Sequence, residues 1–127
     1  MRMKRDGQAL VEFAIILPVL ILIIAGIIEF GMMLNSYLTI QNASREGARY
    51  GIMGANDTEI IQVVRNSSPN LDGSKLSIEI TPGDASRKSG DTINVKVIYD
   101  YDLIVPIISN LLGNTVELKS ETSMRVE

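Results

Sequence analysis

The sequence predicts an α+β fold: a long N-terminal transmembrane α-helix whose outer half packs on a small three-stranded antiparallel sheet, with two short helices beside it. Three observations predict this. One apolar stretch near the N-terminus is long enough to cross a bilayer. The residues that follow keep apolar and small side chains at helical spacing. Beyond Gly54, three segments alternate apolar and polar residues with a period of two. At 127 residues the chain has room for one small outer domain besides the span.

The apolar stretch comes first. From Phe13 to Ile28 (FAIILPVLILIIAGII) there is no charged or hydrogen-bonding side chain. With Glu29 as its single interruption the run continues to Leu34, which as a helix measures roughly 33 Å, about one hydrocarbon core. A cleaved secretory signal needs two small residues spaced two apart just past its apolar part, and residues 23–56 contain no such pair of Ala, Gly or Ser. A retained single-pass helix is therefore favoured. Arg2, Lys4 and Arg5 against Asp6 give residues 1–7 a local charge of +2, whereas the whole chain carries -3. A basic head stays in the cytoplasm, which predicts the N-terminus inside and everything after about residue 34 outside. Pro18 removes one backbone donor within the span and predicts a mild kink.

Two acids do not suit a plain anchor. Glu12 and Glu29 sit near either end of the run, and a charged group at the centre of a span costs roughly 2.5–3.5 kcal/mol. Glu29, near the outer boundary, is either an acid at the interface reaching water or an intramembrane acid with a dedicated role.

Residues 35–54 continue the helix in amphipathic form. Leu34, Tyr37, Leu38, Ala48 and Ile52 share one face at helical spacing. Ala43, Gly47 and Gly51, four apart, make a second stripe of small residues that lets another backbone approach closely. That backbone is either the chain's own sheet or a neighbouring helix. A helix from about Gln8 to Met53 would be roughly 69 Å long.

The outer domain takes up residues 55–127. Asn56-Asp57-Thr58-Glu59 reads as a capping box with Asn as the cap, opening a short helix to about Arg65. Asn66–Asn70 and Asp72-Gly73 are turn material. Leu76, Ile78 and Ile80 alternate with polar residues, as do Ile93, Val95 and Val97, and this second strand closes through Tyr99 and Tyr101. The third strand, Val116 to Val126, is the cleanest alternation in the chain. Pro106 in a first turn and Gly113 past a last turn bracket another short helix between the second and third strands. A three-stranded sheet cannot bury its apolar face alone, so helices must cover it.

Several pieces of the N-terminal third carry a resemblance. Gly7-Gln8-Ala9-Leu10-Val11-Glu12-Phe13 places a Gly at the polar–apolar junction with a Glu five residues on, and is similar to the processing site of type IV prepilins. Together with Leu17-Pro18, the IIEFG of Ile27–Gly31 and the NASREGARYG of Asn42–Gly51, it resembles the TadE-like family, the minor pilins or pseudopilins of Tad/Flp (type IVb) pilus systems. The resemblance covers about residues 7–54 and implies the pilin plan of a long helix laid on a small sheet. It implies a membrane-inserted precursor whose leader, residues 1–7, is removed by a prepilin peptidase between Gly7 and Gln8. Residues 8–34 then serve as the transmembrane and assembly helix. The freed amine of Gln8 pairs with Glu12 of a neighbouring subunit, because each charge is costly alone in an apolar filament core. Gln8 departs from the Phe common at this position, and no N-methylation is inferred. The implied partners are the peptidase, other pilin or pseudopilin subunits, the Tad assembly machinery and membrane lipid. The implied setting is the inner membrane and a surface-adhesive pilus.

The composition excludes much else. With no Cys, His or Trp there is no disulfide framework, no Cys- or His-ligated metal and no His-based triad. A pI near 5.0 does not suit nucleic acid. Asp84, Asp91, Asp100 and Asp102 do not fit a calcium loop. No enzymatic activity, metal or cofactor is expected. The competing reading is an unprocessed single-pass protein whose outer domain binds a ligand; a small secreted enzyme is a third.

Overall fold

The computed structural model describes residues 2–83 and 85–126. Asp84 and the side chains of Arg2 and Lys4 lie outside the described residues. Helix α1 spans Arg2–Ile52 and runs unbroken through Pro18. It begins at Arg2 rather than Gln8, since residues 2–6 contain good helix formers and no breaker. It stops at Ile52 because Gly54 takes φ +99. The Gly54 and Ala55 N–H groups donate back to the carbonyls of Gly51 and Tyr50, closing the last turn.

The chain reverses into α2, Asp57–Asn66. Its cap is the one the sequence predicts. The Asn56 side chain accepts from the Glu59 N–H at 2.9 Å and donates to the Glu59 carboxylate at 3.2 Å. A short 3-10 turn, Gly73–Lys75, leads into β1, Leu76–Thr81. Strand β2 is Thr92–Asp102, helix α3 is Pro106–Leu112 and strand β3 is Thr115–Arg125. The sheet order is β1-β2-β3, antiparallel throughout, with Ile78 opposite Val97 and Val97 opposite Ser120. The α+β class and the long helix packed on a three-stranded sheet are as the sequence predicts.

One face of the sheet is covered by α1 and α2. Ile40, Ala43, Ala48, Ile60, Val64, Ile93, Val95 and Val97 are fully buried between them. The covering face of α1 combines small residues with Ile40. Leu34, Tyr37 and Leu38, the larger members of the stripe read from the sequence, remain exposed, while Ser36, Ile40, Ala43, Ser44 and Gly47 face inward. Against β3 the contact includes a polar cluster: the Ser44 hydroxyl lies 3.1 Å from that of Ser120 and 2.8 Å from that of Thr122. At the far corner the Arg87 guanidinium donates to the Ala55 carbonyl at 2.8 Å and to Asp57 at 3.1 Å, tying the β1–β2 loop to the turn between α1 and α2.

Strand β2 descends α1. A Cβ at Gly51 would meet Ile93 and one at Gly47 would meet Val95, while Tyr101 reaches Glu29. The β2–β3 connection, residues 103–114, therefore lies level with Glu29. Below that level the helix stands alone, and every residue from Arg5 to Ile24 is exposed.

Candidate functional site

Three places on α1 hold the residues that the sequence singles out. The first is the projecting half. Gly7 sits within the helix with open space where a Cβ would stand. Gln8 and Glu12 are four residues apart, so they share a face one turn apart. Both are exposed, and Glu12 is the single charged residue between Gln8 and Ile28. The helix is long and apolar enough to cross a membrane, and none of its most apolar window is buried within the chain.

The second place is Glu29, which has 1% of its surface exposed. A carboxylate so enclosed needs donors, because an unpaired buried charge is costly. Two come from the outer domain. The Ile104 N–H donates to Oε1 at 2.6 Å, and the Tyr101 hydroxyl donates to Oε2 at 3.4 Å. Burial, and then the neighbouring Glu29 carboxylate, push the Tyr101 hydroxyl above its ordinary value. Glu29 thus fastens the lower end of the sheet to the helix from within.

The third place, the small stripe, is filled by the chain itself. Ala43 is fully buried, and a Cβ at Gly47 would come within 2.7 Å of Val64 and one at Gly51 within 2.5 Å of Ile93. The surface at Gly47 and Gly51 is therefore occupied by α2 and β2. Two hollows flank α1 near Glu29, the larger of mixed lining and the smaller apolar. The larger, about 490 Å³, lies between Met32, Ser36, Leu71 and Tyr99; the smaller, about 170 Å³, is enclosed by Phe30, Met33, Leu34, Tyr37 and Leu118.

Of the aspartates weighed for calcium, Asp91 and Asp102 serve local structure. Asp91 accepts from the Lys88 N–H at 2.8 Å, and Asp102 pairs with Lys75. The hydroxyl and N–H of Ser74 hold the Asp72 carboxyl below its ordinary value of 3.8. Among the described residues no group of three His, Cys, Asp or Glu is placed to hold a metal ion.

The sequence gives no direct sign of Tyr101 and Ile104 as partners of Glu29. Their one trace is Glu29 itself, an acid in an apolar run that implies a donor somewhere. Comparison with known proteins adds one match: the family model described as TadE-like protein matches residues 7–49, the stretch that carries GQALVEF and most of NASREGARYG. No curated protein and no solved structure matches the chain.

Proposed function

We propose that this chain is a minor pilin or pseudopilin of a Tad/Flp (type IVb) pilus system, a structural subunit rather than an enzyme. It enters the inner membrane with its basic head inside and its outer domain outside. A prepilin peptidase then cuts between Gly7 and Gln8, and the subunit joins an adhesive pilus through the Tad machinery. The TadE-like match over residues 7–49 supports the pilus-related role. The single observation that carries the rest is the bare stretch of α1 from Gln8 to Ile28, apolar on all sides, with Glu12 as its one charge.

A helix that is apolar all round needs either lipid or neighbouring helices around it. A subunit that moves from membrane to filament uses both in turn. Residues 1–7 oppose the second step because their cations hold the head at the cytoplasmic surface. Gly7 suits the cut. A helical Gly costs roughly 0.5–1 kcal/mol relative to Ala, so the backbone there opens more readily to a peptidase. After cleavage the Gln8 amine and Glu12 supply opposite charges that stabilise subunit packing where either alone would be costly. The residue ranges follow from these roles: 1–7 leader, 8–34 span and assembly helix, 35–54 continuation, 55–127 outer domain.

The test is mass spectrometry of membrane-extracted protein produced with and without the cognate peptidase. The expected product begins at Gln8 with the peptidase and at Met1 without it, and Gly7→Leu abolishes the difference. A chain that begins at Met1 with active peptidase present overturns the reading and favours an unprocessed anchor.

A further inference from the structure

We propose that helix α3 and its flanking loops form an apolar foot that rests in the outer leaflet, so that the outer domain sits on the bilayer surface rather than standing clear of it. The juxtaposition that carries this is Glu29 with Ile104. The 2.6 Å hydrogen bond between them fixes the start of the β2–β3 connection to a definite height on α1. From Phe13 to Glu29 the helix rises about 24 Å, against a hydrocarbon core of about 30 Å. With Phe13 at the inner boundary, Glu29 and the Ile104 backbone lie about 6 Å inside the outer one, within the ~5–10 Å to which apolar segments at an interface are buried.

The composition at that height agrees. From Leu103 to Val116 (LIVPIISNLLGNTV) there is no charged residue, and Asp102 and Glu117 bracket the stretch. Ile104, Ile107, Leu111 and Leu112 are 64%, 52%, 80% and 65% exposed. The outward face of the sheet, by contrast, carries Glu79, Lys96, Lys119 and Glu121. Some polar groups in the foot are bonded within it, while Asn110, Asn114 and Thr115 are exposed. The Ser109 hydroxyl donates to the Pro106 carbonyl at 2.8 Å, the Leu103 N–H to the Asn114 carbonyl at 3.0 Å, and Pro106 has no N–H to satisfy. Large exposed apolar patches mark partner or membrane contacts, and this one is continuous with a helix that is apolar on every side. Lipid is the occupant that this height and continuity select.

The inference rests on α1 crossing a membrane, and the experiment separates the two. The chain has no Cys, so single-cysteine variants of the full protein carry one fluorescent label each. Leu111→Cys reports on the foot, Ile21→Cys on the span and Glu121→Cys on the distal sheet. Each is placed in nanodiscs of phosphatidylethanolamine and phosphatidylglycerol that contain lipids with a nitroxide near the headgroup or near the chain end. The expected result is at least about twofold quenching of the Leu111→Cys label by the shallow nitroxide, deep quenching of Ile21→Cys, and none of Glu121→Cys. If Ile21→Cys is quenched while Leu111→Cys matches Glu121→Cys, the foot is overturned and the span stands. If Ile21→Cys is not quenched, the span fails and the foot fails with it. If the Leu111→Cys label is shielded from lipid and self-quenches as protein density rises, a second copy covers the face and the proposal is overturned.

Discussion

The carboxylate of Glu29 accepts the backbone N–H of Ile104 at 2.6 Å across 75 positions of sequence. This bond joins the part of α1 that belongs to the membrane run to the part of the chain that belongs to the sheet. Removing it leaves a part-buried backbone donor without its carboxylate, at a cost of about 1 kcal/mol or more. Glu29→Ala is therefore expected to lower the unfolding free energy of the outer domain by that amount, measured by near-ultraviolet circular dichroism of the full chain in detergent. Glu29→Gln keeps a carbonyl acceptor for Ile104 and is expected to lose less.

Gly47 and Gly51 test the packing of the helix on the sheet. A methyl at Gly47 would meet Val64 at 2.7 Å, and one at Gly51 would meet the terminal Cδ1 of Ile93 at 2.5 Å. The Ile93 terminus can swing about its outer torsion, whereas the Val64 methyl moves only if a stiff, fully buried side chain turns as a whole. Overpacking costs about 1–3 kcal/mol, and Ala in place of Gly returns roughly 0.8–1 kcal/mol of helix propensity. Gly47→Ala is expected to destabilise by about 1 kcal/mol and Gly51→Ala to come out near neutral, as read from thermal unfolding.

The Tyr101 hydroxyl sets an alkaline limit. Its folded value is raised above the ordinary 10.0 by burial and by Glu29. The neutral hydroxyl is favoured in the folded state, so its contribution is complete below about pH 10 and is lost as pH rises through the folded value. Tyr101 is expected to give a tyrosinate absorbance phase above the ordinary range, and Tyr101→Phe is expected to remove it.

Glu12 tests assembly apart from processing. If the proposed processing and assembly hold, Glu12→Ala leaves cleavage after Gly7 intact and reduces incorporation into pili more than about tenfold, because the Gln8 amine would then be unpaired in an apolar core. Immunoblots of sheared pili against whole-cell fractions read the ratio directly.

Much of the fold is legible because its signals are local. The Asn56 cap with Glu59, the alternation from Val116 to Val126 and the Pro106–Gly113 bracket each lie within a few residues of the structure they dictate. The choice of which face of α1 turns inward is not local. Leu34, Tyr37 and Leu38 remain exposed, while the sheet is covered by Ile40, Ala43, Ser44 and Gly47. A close approach of α2 and the sheet selects small side chains at Ala43, Ser44 and Gly47, and that selection depends on residues from 13 to more than 70 positions away. The hydroxyl contacts of Ser44 with Ser120 and Thr122 are hidden for the same reason. Glu29 was visible as an anomaly in an apolar run, but its donors come from a backbone N–H and a distant tyrosine, and sequence marks neither.

Because α1 is at once anchor and core wall, the boundary at which a water-soluble fragment begins is dictated by Glu29 rather than by hydropathy. A trimmed chain that starts at Asn35, just past the greasy run, loses the acceptor for Ile104 along with Met33, which packs against the core. One that starts at Glu29 keeps both, and sets a carboxylate in an opening helical turn, where the free N–H groups favour negative charge.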